Sequence, residues 1–256
     1  MIDNRLEYQR MYEVERKLWW YQVLHEKVLN QIRKHFSNSG SELSILDAAC
    51  GTGGLLTFLK ENGYCNLSGF DYSQYAIEFS NERNLSVSFG DLRKVEEFKS
   101  AQTFDVICCN DALYFLTDQE IIDALLAFKD RLNKNGLLII NIHSFEAFSG
   151  THDLAVGSQR RFELKQFINF SHVAGLKIHY NTYWPFALSL PILAVRQWQK
   201  FQIGRKKINV EHVDSDVKYP GDAINGLLKG IVKAESALLR SAPFGSSLFM
   251  TLKATD

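Results

Sequence analysis

Acidic and glycine residues recur at the points where the predicted strands of this chain end. Residues 47–54, Asp-Ala-Ala-Cys-Gly-Thr-Gly-Gly, join a strand-like run to a helix-like run. Glycine lets the backbone turn sharply and approach a ligand closely, and a helix N-terminus presents free N–H groups. Asp71 ends the next strand-like run, where a carboxylate can accept both hydroxyls of a ribose. Asp91 follows Gly90 at the end of the third run, placed to meet an adenine amino group.

A fourth strand-like run opens at Phe104 and ends at Cys109-Asn110-Asp111. All four features fall at the carboxyl edge of the predicted sheet, where open α/β sheets bind their ligands. The glycine turn alone is a weak signal, because a plain strand-to-helix connection can need the same residues. A dinucleotide site expects Gly-x-Gly-x-x-Gly, and the spacing here does not fit. The four features in this order therefore predict an adenosyl site.

Several side chains near the same edge could move a proton. His143 lies just past the fifth strand-like run, and the ordinary histidine pKa near 6.5 suits proton removal at neutral pH. His152 and Asp153 form a second candidate pair, in which the carboxylate would orient the imidazole. Asp111 and Tyr114 follow the fourth run, close to the expected reacting group. Each histidine could equally make a structural hydrogen bond, and residues 152–153 could form an Asx-type turn.

Strands that alternate with helices position these residues. Near-continuous apolar strands between helices indicate a mostly parallel sheet covered on both faces. The predicted fold class is α/β, a doubly wound, mostly parallel seven-stranded sheet with N-terminal helices and a helical insertion before the last strand. The predicted strands are 44–48, 66–70, 87–89, 104–109, 137–142, 176–184 and 247–253. The predicted helices are one or two within 3–36, then 54–62, 73–83 with Ser73 as N-cap, 118–132, 163–174, and two within 187–246 around a polar stretch at 213–221.

The chain divides into four predicted segments. Residues 1–40 form an N-terminal helical cap, 41–186 the ligand-binding core, 187–246 a helical lid, and 247–256 the final strand of the core. An insertion of about sixty residues is too long for a plain connection. The apolar run 184–195 overlaps the start of this insertion, and we expect it to line a substrate pocket. A buried core segment, a dimer contact or a membrane contact are the alternatives.

Over residues 43–143, the glycine turn with Asp71 and Asp91 resembles class I S-adenosylmethionine-dependent methyltransferases, which have a Rossmann-like fold; Ala49 stands where those enzymes usually carry glycine. Three further motifs are similar to one group of bacterial small-molecule methyltransferases, often of glycan or secondary-metabolite pathways: Trp19-Trp20, 150–162 and 243–248. The chain departs from that group at Val23-Leu24-His25, where a Gly-Arg-Arg-like run is common. The resemblance implies S-adenosylmethionine as cofactor and S-adenosylhomocysteine as product. The implied cofactor contacts are Tyr12, Trp20, Asp47, Ala48, Ala49, Gly51, Gly53, Asp71, Tyr72, Gly90, Asp91, Leu92, Asn110 and Asp111.

The resemblance also implies in-line methyl transfer to a small molecule, with oxygen favoured over nitrogen as acceptor and a histidine as base. Residues 110–113 are not the Asn-Pro-Pro-aromatic motif of enzymes that methylate nucleobases or glutamine, and Phe115 stands where related enzymes often carry histidine. Arg160 and Arg161 could bind an anionic substrate or face solvent. The alternatives are methylation of RNA or protein, and a cofactor-binding protein of the same fold without catalytic activity.

The charge balance and the cysteine positions limit which partners and metals are expected. With 29 basic and 29 acidic residues, the chain lacks the basic excess of proteins that grip a nucleic-acid backbone, so we expect a small-molecule partner. The N-terminus has no signal-peptide core and no apolar run reaches membrane-spanning length, which favours a cytoplasmic protein. A homodimer is one candidate assembly. Cys50, Cys65, Cys108 and Cys109 fit neither a zinc site nor a disulfide framework, so no metal is expected.

Overall fold

A single seven-stranded sheet forms the centre of the protein. The computed structural model describes residues 4–37, 40–158, 160–205 and 218–255. The strand order is β3-β2-β1-β4-β5-β7-β6, and only β7 runs antiparallel to its neighbours. This confirms the predicted fold class. The strands are β1 Ile45–Ala48, β2 Leu67–Asp71, β3 Val87–Phe89, β4 Phe104–Asn110, β5 Leu132–His143, β6 Leu176–Trp184 and β7 Ser247–Ala254.

The helices alternate with the strands as predicted over the core. They are α1 Arg5–Val14, α2 Trp19–His35, α3 Gly54–Glu61, α4 Gln74–Glu82, α5 Asp118–Asp130, α6 Thr151–Val156, α7 Leu164–Val173, α8 Ser189–Gly204 and α9 Asp222–Leu238. Most of the polar stretch predicted between the last two lies outside the described residues. No helix in the described ranges has the length and apolar character needed to cross a membrane.

Three local details differ from the sequence predictions. Strand β5 begins at Leu132 rather than 137, because Leu132 already pairs with Phe104 before the register shifts. Helix α6 was not predicted, since six residues are too few to display a helical period. Ser73 does stand at the N-cap of α4, but its side chain makes no capping hydrogen bond, and its backbone N–H instead donates to Asp71.

Apolar layers cover both faces of the sheet. One layer packs α5 and α7 against the sheet, and the other packs α2, α3 and α9 against the opposite face. Asn225 at the start of α9 accepts a hydrogen bond from the Trp19 N–H and donates one to the Lys17 carbonyl. The late insertion therefore packs directly on the N-terminal helices, and the two segments cover the sheet together. The four domain boundaries stay predictions.

Candidate active site

One cavity of about 640 Å³ lies along the carboxyl ends of β1, β2 and β4, beneath α1 and α2. It brings together most of the residues predicted to bind the cofactor and most of those predicted to move a proton. Those that line it are Trp20, Asp47, Ala49, Gly51, Asp71, Tyr72, Gly90, Asp91, Leu92, Asn110, Asp111, Tyr114, His143 and His152. Four others do not line it: Tyr12, Ala48, Gly53 and Asp153. Within the described ranges there is no cluster of three or more His, Cys, Asp or Glu side chains that could hold a metal ion.

The glycine turn forms the floor of one end. Ala49, Gly51 and Gly53 all have left-handed backbone conformations, with φ of 59°, 55° and 79°. The Gly51 N–H donates to Asp71 Oδ2 at 2.9 Å, so the turn and the end of β2 are tied together. Ala48 is the last residue of β1 and is fully buried. Gly53 is the N-cap of α3 and packs so closely against Leu85 that a Cβ there would collide with it. These two positions shape the turn from behind rather than face the cavity.

The two predicted nucleoside carboxylates are held differently. Asp71 accepts backbone N–H groups on both oxygens, from Gly51 and Ser73, at 2.9 Å each. Burial raises the pKa of Asp71, and these hydrogen bonds oppose the rise. Asp91 accepts the Arg93 N–H and pairs with its guanidinium at 2.7 Å. Burial alone would raise the pKa of Asp91, but the bonds from Arg93 outweigh it and the pKa lies below its usual value. Each oxygen keeps lone pairs that a ligand hydroxyl or amino group could use.

A buried ion pair that sequence patterns did not indicate fixes α1 over the glycine turn. Glu15 accepts hydrogen bonds from Thr52 and from Arg83, the latter at 2.5 Å, and lies against Gly54 so closely that a Cβ there would collide with its carboxylate. Burial raises the pKa of Glu15, with Arg83 and Thr52 opposing it. Arg83 also binds the Tyr12 carbonyl and lies over its ring, 4.3 Å from the centroid. Tyr12 therefore faces α4, while its neighbours Tyr8 and Met11 face the cavity.

His143 forms the centre of the other end of the cavity. It is buried, its ring stacks on Tyr114 with centroids 4.8 Å apart, and its Nδ1 lies 3.5 Å from Ser158 Oγ. The His152 ring meets it edge-on at 5.5 Å. Burial lowers the pKa of His143 well below 6.5, and the positive charge of Arg161 lowers it further. The imidazole is therefore neutral at physiological pH.

Asp153, which the sequence predicted to orient His152, also has several other partners, and its pairing with His152 stays a prediction. Neighbouring residues of a helix point to different faces, and Asp153 accepts hydrogen bonds from Arg161 at 2.8 and 3.0 Å and from the Gly150 N–H at 2.9 Å. Its Oδ1 lies 3.9 Å from His143 Nδ1. Arg161 Nη1 also donates to two backbone carbonyls, so each of the three guanidinium nitrogens donates to a protein group. Arg160 pairs with Asp118 at the surface, outside the cavity.

A polar chain through the core ends at Asp111. The Trp184 Nε1–H donates to Asn141 Oδ1, and Asn141 Nδ2–H donates to Asp111 Oδ2, each at 2.8 Å. Burial raises the pKa of Asp111 to about 7, with the Asn141 hydrogen bond and Arg161 opposing the rise. Asn141 is fully buried. The sequence did contain a signal for these hydrogen bonds: an asparagine within the apolar run 137–142, because a buried amide needs hydrogen-bond partners.

Aromatic and aliphatic side chains form the outer wall. Trp19 and Trp20 line the cavity, and Trp20 stacks on Trp184 with centroids 5.3 Å apart. The apolar run 184–195 is divided: Trp184 is core, Ile192 lines the cavity as the pocket prediction expected, and Leu190 is exposed. Leu24 and His25, at the departure from the Gly-Arg-Arg-like run, also face the cavity. Burial lowers the pKa of His25 to about 3, so this wall carries no cation at that position.

Comparison with known proteins agrees with this geometry. Residues 45–136 match the family model for a methyltransferase domain. The ubiquinone biosynthesis O-methyltransferase of Rickettsia canadensis is 27% identical over 139 residues, which cover 48% of this chain and 57% of that protein. The chain spans about half the length of the curated relatives it matches.

Solved structures share the fold. S-adenosylmethionine-bound CalS10, an amino pentose methyltransferase from Micromonospora echinaspora involved in calicheamicin biosynthesis, is 18% identical with a TM-score of 0.55, covering 72% of this chain and 93% of that one. DesVI from Streptomyces venezuelae is 16% identical with a TM-score of 0.55, covering 70% and 93%. The chain thus shares its fold with these solved structures, and its residues 45–136 match the model for a methyltransferase domain.

Proposed function

We propose that this protein binds S-adenosylmethionine and transfers its methyl group to a small-molecule acceptor, with a hydroxyl favoured over an amine. One observation carries the proposal: a single cavity joins the glycine turn and the strand-end carboxylates to the buried cluster around His143. Its volume lies within the roughly 300–1,000 Å³ of small-molecule sites. A neutral formal charge does not favour a nucleic-acid substrate. The homodimer stays a prediction.

The residues present fit this cofactor. Asp71, Tyr72, Asp91 and Leu92 line the cavity together, and we expect Asp71 to bind the ribose hydroxyls and Asp91 the adenine. Asn110 also lines the cavity, and we expect its side-chain amide to hydrogen-bond to the ligand. The carboxylates complement a ligand that carries positive charge. When bound, the cofactor supplies an electrophilic methyl group on a sulfonium.

The part of the cavity around His143 supports a hydroxyl as the nucleophile. An oxygen nucleophile must lose its proton, whereas an uncharged amine can react first and lose it later. The cavity offers buried proton acceptors beside flat aromatic walls, and His143 is neutral there and so able to accept. Holding both reactants aligned contributes about 7–11 kcal/mol to such transfers. His143 as base, with His152 near it, remains our prediction from the sequence.

The test has two stages. Titration calorimetry with S-adenosylmethionine and S-adenosylhomocysteine comes first, and no binding of either at millimolar ligand would refute the proposal. Incubation with methyl-labelled cofactor and a panel of phenols, sugars and amines comes second. Label transfer to a phenol or sugar hydroxyl is the expected result. Binding without transfer to any acceptor would favour the alternative of a non-catalytic cofactor-binding protein.

A further inference from the structure

Helix α8 presents a row of apolar side chains to solvent. Leu190, Ala194, Trp198 and Phe201 follow one another at intervals of four, four and three residues, which places them on one side of the helix, and all four are exposed. We call this side the outer face of α8. Leu190 is 77% exposed and Trp198 is 60% exposed, whereas Ser189 is the one residue of the helix that is buried. A surface helix normally has the reverse arrangement, with its apolar side against the core.

Polar contacts fix the opposite side of α8 to the protein. Gln199 Oε1 accepts hydrogen bonds from Arg196 at 2.9 Å and from the Thr151 N–H at 3.4 Å. Lys200 Nζ donates to the Glu146 carbonyl at 3.0 Å. Arg196 also lines the cavity. The hydrogen bonds therefore orient the helix, and the outer face points to solvent as a consequence.

The charges of α8 and its C-cap are all positive. Residues 188–205 contain no Asp or Glu, and Lys200 and Arg205 lie near the C-terminal end of the outer face. The Arg205 guanidinium lies over the Phe201 ring, 4.2 Å from its centroid, and the Phe201 ring stacks on Trp198 with centroids 5.7 Å apart. Exposed Trp, Phe and Leu side chains next to Lys and Arg are typical of helices that lie in the interface of an anionic bilayer.

A second copy of this chain fits the outer face less well than a lipid surface does. In a symmetric dimer the same face meets itself, and α8 offers cations but no acid. Burial of Arg205 without a counter-charge would be unfavourable. At a bilayer surface, the apolar side chains enter the acyl region while the long cationic side chains stay among the phosphates.

We propose that the outer face of α8 docks on the surface of an anionic phospholipid bilayer, with Leu190, Trp198 and Phe201 below the headgroups and Arg205 against lipid phosphates. The helix lies in the plane of the surface and does not cross it. Since Ile192 and Arg196 of the same helix line the cavity, docking holds the cavity about one helix diameter, roughly 10–12 Å, from the lipid. The proposal does not depend on methyl transfer.

Sedimentation with vesicles tests the docking. The protein is mixed with vesicles of phosphatidylcholine alone and with vesicles that also contain phosphatidylserine. We expect about thirtyfold tighter binding to the second kind, because Lys200 and Arg205 each contribute about fivefold near an anionic leaflet. This preference should shrink as the salt concentration rises, since salt screens exposed charges.

Two double variants separate the outer face from exposed apolar residues in general. Trp198→Gln with Phe201→Gln removes both rings and keeps both cations, and we expect its vesicle binding to be at least about tenfold weaker. The matched control is Ile168→Gln with Val173→Gln on α7, two apolar residues that are each 55% exposed. The control should bind within about twofold of wild type, and melting curves check that both variants fold.

Each remaining outcome counts for or against the lipid surface. No binding to either vesicle, equal binding to both, or wild-type binding by Trp198→Gln with Phe201→Gln overturns the proposal. Analytical ultracentrifugation without lipid tests the second copy: a wild-type dimer that this double variant converts to a monomer would show that another copy covers the face. S-adenosylmethionine binding is measured separately, so failure of the proposed function leaves the vesicle result unaffected.

Discussion

Removal of Glu15 should detach α1 from the glycine turn and weaken both the fold and ligand binding. Glu15→Ala deletes a carboxylate that is only 4% exposed and leaves Arg83, whose side chain is 10% exposed, without its ion-pair partner. Breaking a buried pair by removing one partner costs about 3–5 kcal/mol. Arg83 keeps its hydrogen bond to the Tyr12 carbonyl and its contact with the Tyr12 ring. We therefore expect the lower end, about 3 kcal/mol of unfolding free energy.

The same loss should reach the cavity through α1. Tyr8 and Met11 line the cavity on this helix, and Met11 Sδ lies close above Gly51. If ligand binds only when α1 is docked, the apparent affinity falls with the docked fraction. A change of about 3 kcal/mol in docking sets a ceiling of roughly 100-fold on the loss of cofactor affinity.

Urea unfolding followed by tryptophan fluorescence measures the first effect, and calorimetry with S-adenosylhomocysteine measures the second. Glu61→Ala is the matched control, because Glu61 also pairs with an arginine, Arg16, at 2.6 Å, but its side chain is 54% exposed. An exposed pair contributes about 0–1 kcal/mol. If Glu15→Ala destabilises no more than Glu61→Ala, burial of the ion pair does not stabilise α1 and the reasoning is refuted.

Three further substitutions test the site. Asp71→Ala should weaken S-adenosylhomocysteine binding at least tenfold, since hydrogen bonds to a charged group contribute about 1.5–3 kcal/mol; unchanged affinity in calorimetry would exclude the ribose role. His143→Ala should lower turnover at saturating cofactor and leave cofactor affinity nearly intact; if His152→Ala alone slows transfer, the base is His152. Ala49→Gly should raise the urea midpoint, because relief of a left-handed φ gains about 1–2 kcal/mol against about 0.4–1 kcal/mol of added unfolded-state entropy; a lower midpoint would show that the Ala49 methyl packs favourably.

The position of the residues that follow the strands was predictable from sequence, because it depends only on where each strand ends. In a parallel sheet, residues that follow successive strands meet at one edge, so Asp71, Asp91 and Asp111 needed only the positions of the strands. Local periodicity could not assign the face of α1: Tyr12 was predicted to contact the cofactor, and its ring lies against Phe79 of α4 rather than along the cavity.

Long-range polar contacts were the part that the sequence did not reveal. Thr52 lies 37 residues from Glu15, and Arg83 lies 68 residues from it, so no spacing connects them before the fold does. Asp153 was predicted to pair with His152 because the two are adjacent, but nothing in the sequence indicated that Arg161 also donates to its carboxylate. Polar residues in apolar surroundings, such as Asn141, mark where such partners must exist without naming them.

Three buried carboxylates of the cavity favour a cationic ligand over a neutral one of the same shape. Burial raises the pKa of Asp47, Asp71 and Asp111 in the free protein, and the charge of Asp71 raises that of Asp47 further. Holding these groups ionised together costs free energy that a cationic ligand offsets. S-adenosylmethionine carries the sulfonium charge and S-adenosylhomocysteine does not, so only the former offsets that cost fully. We therefore expect these acids to favour the proposed cofactor over its demethylated product.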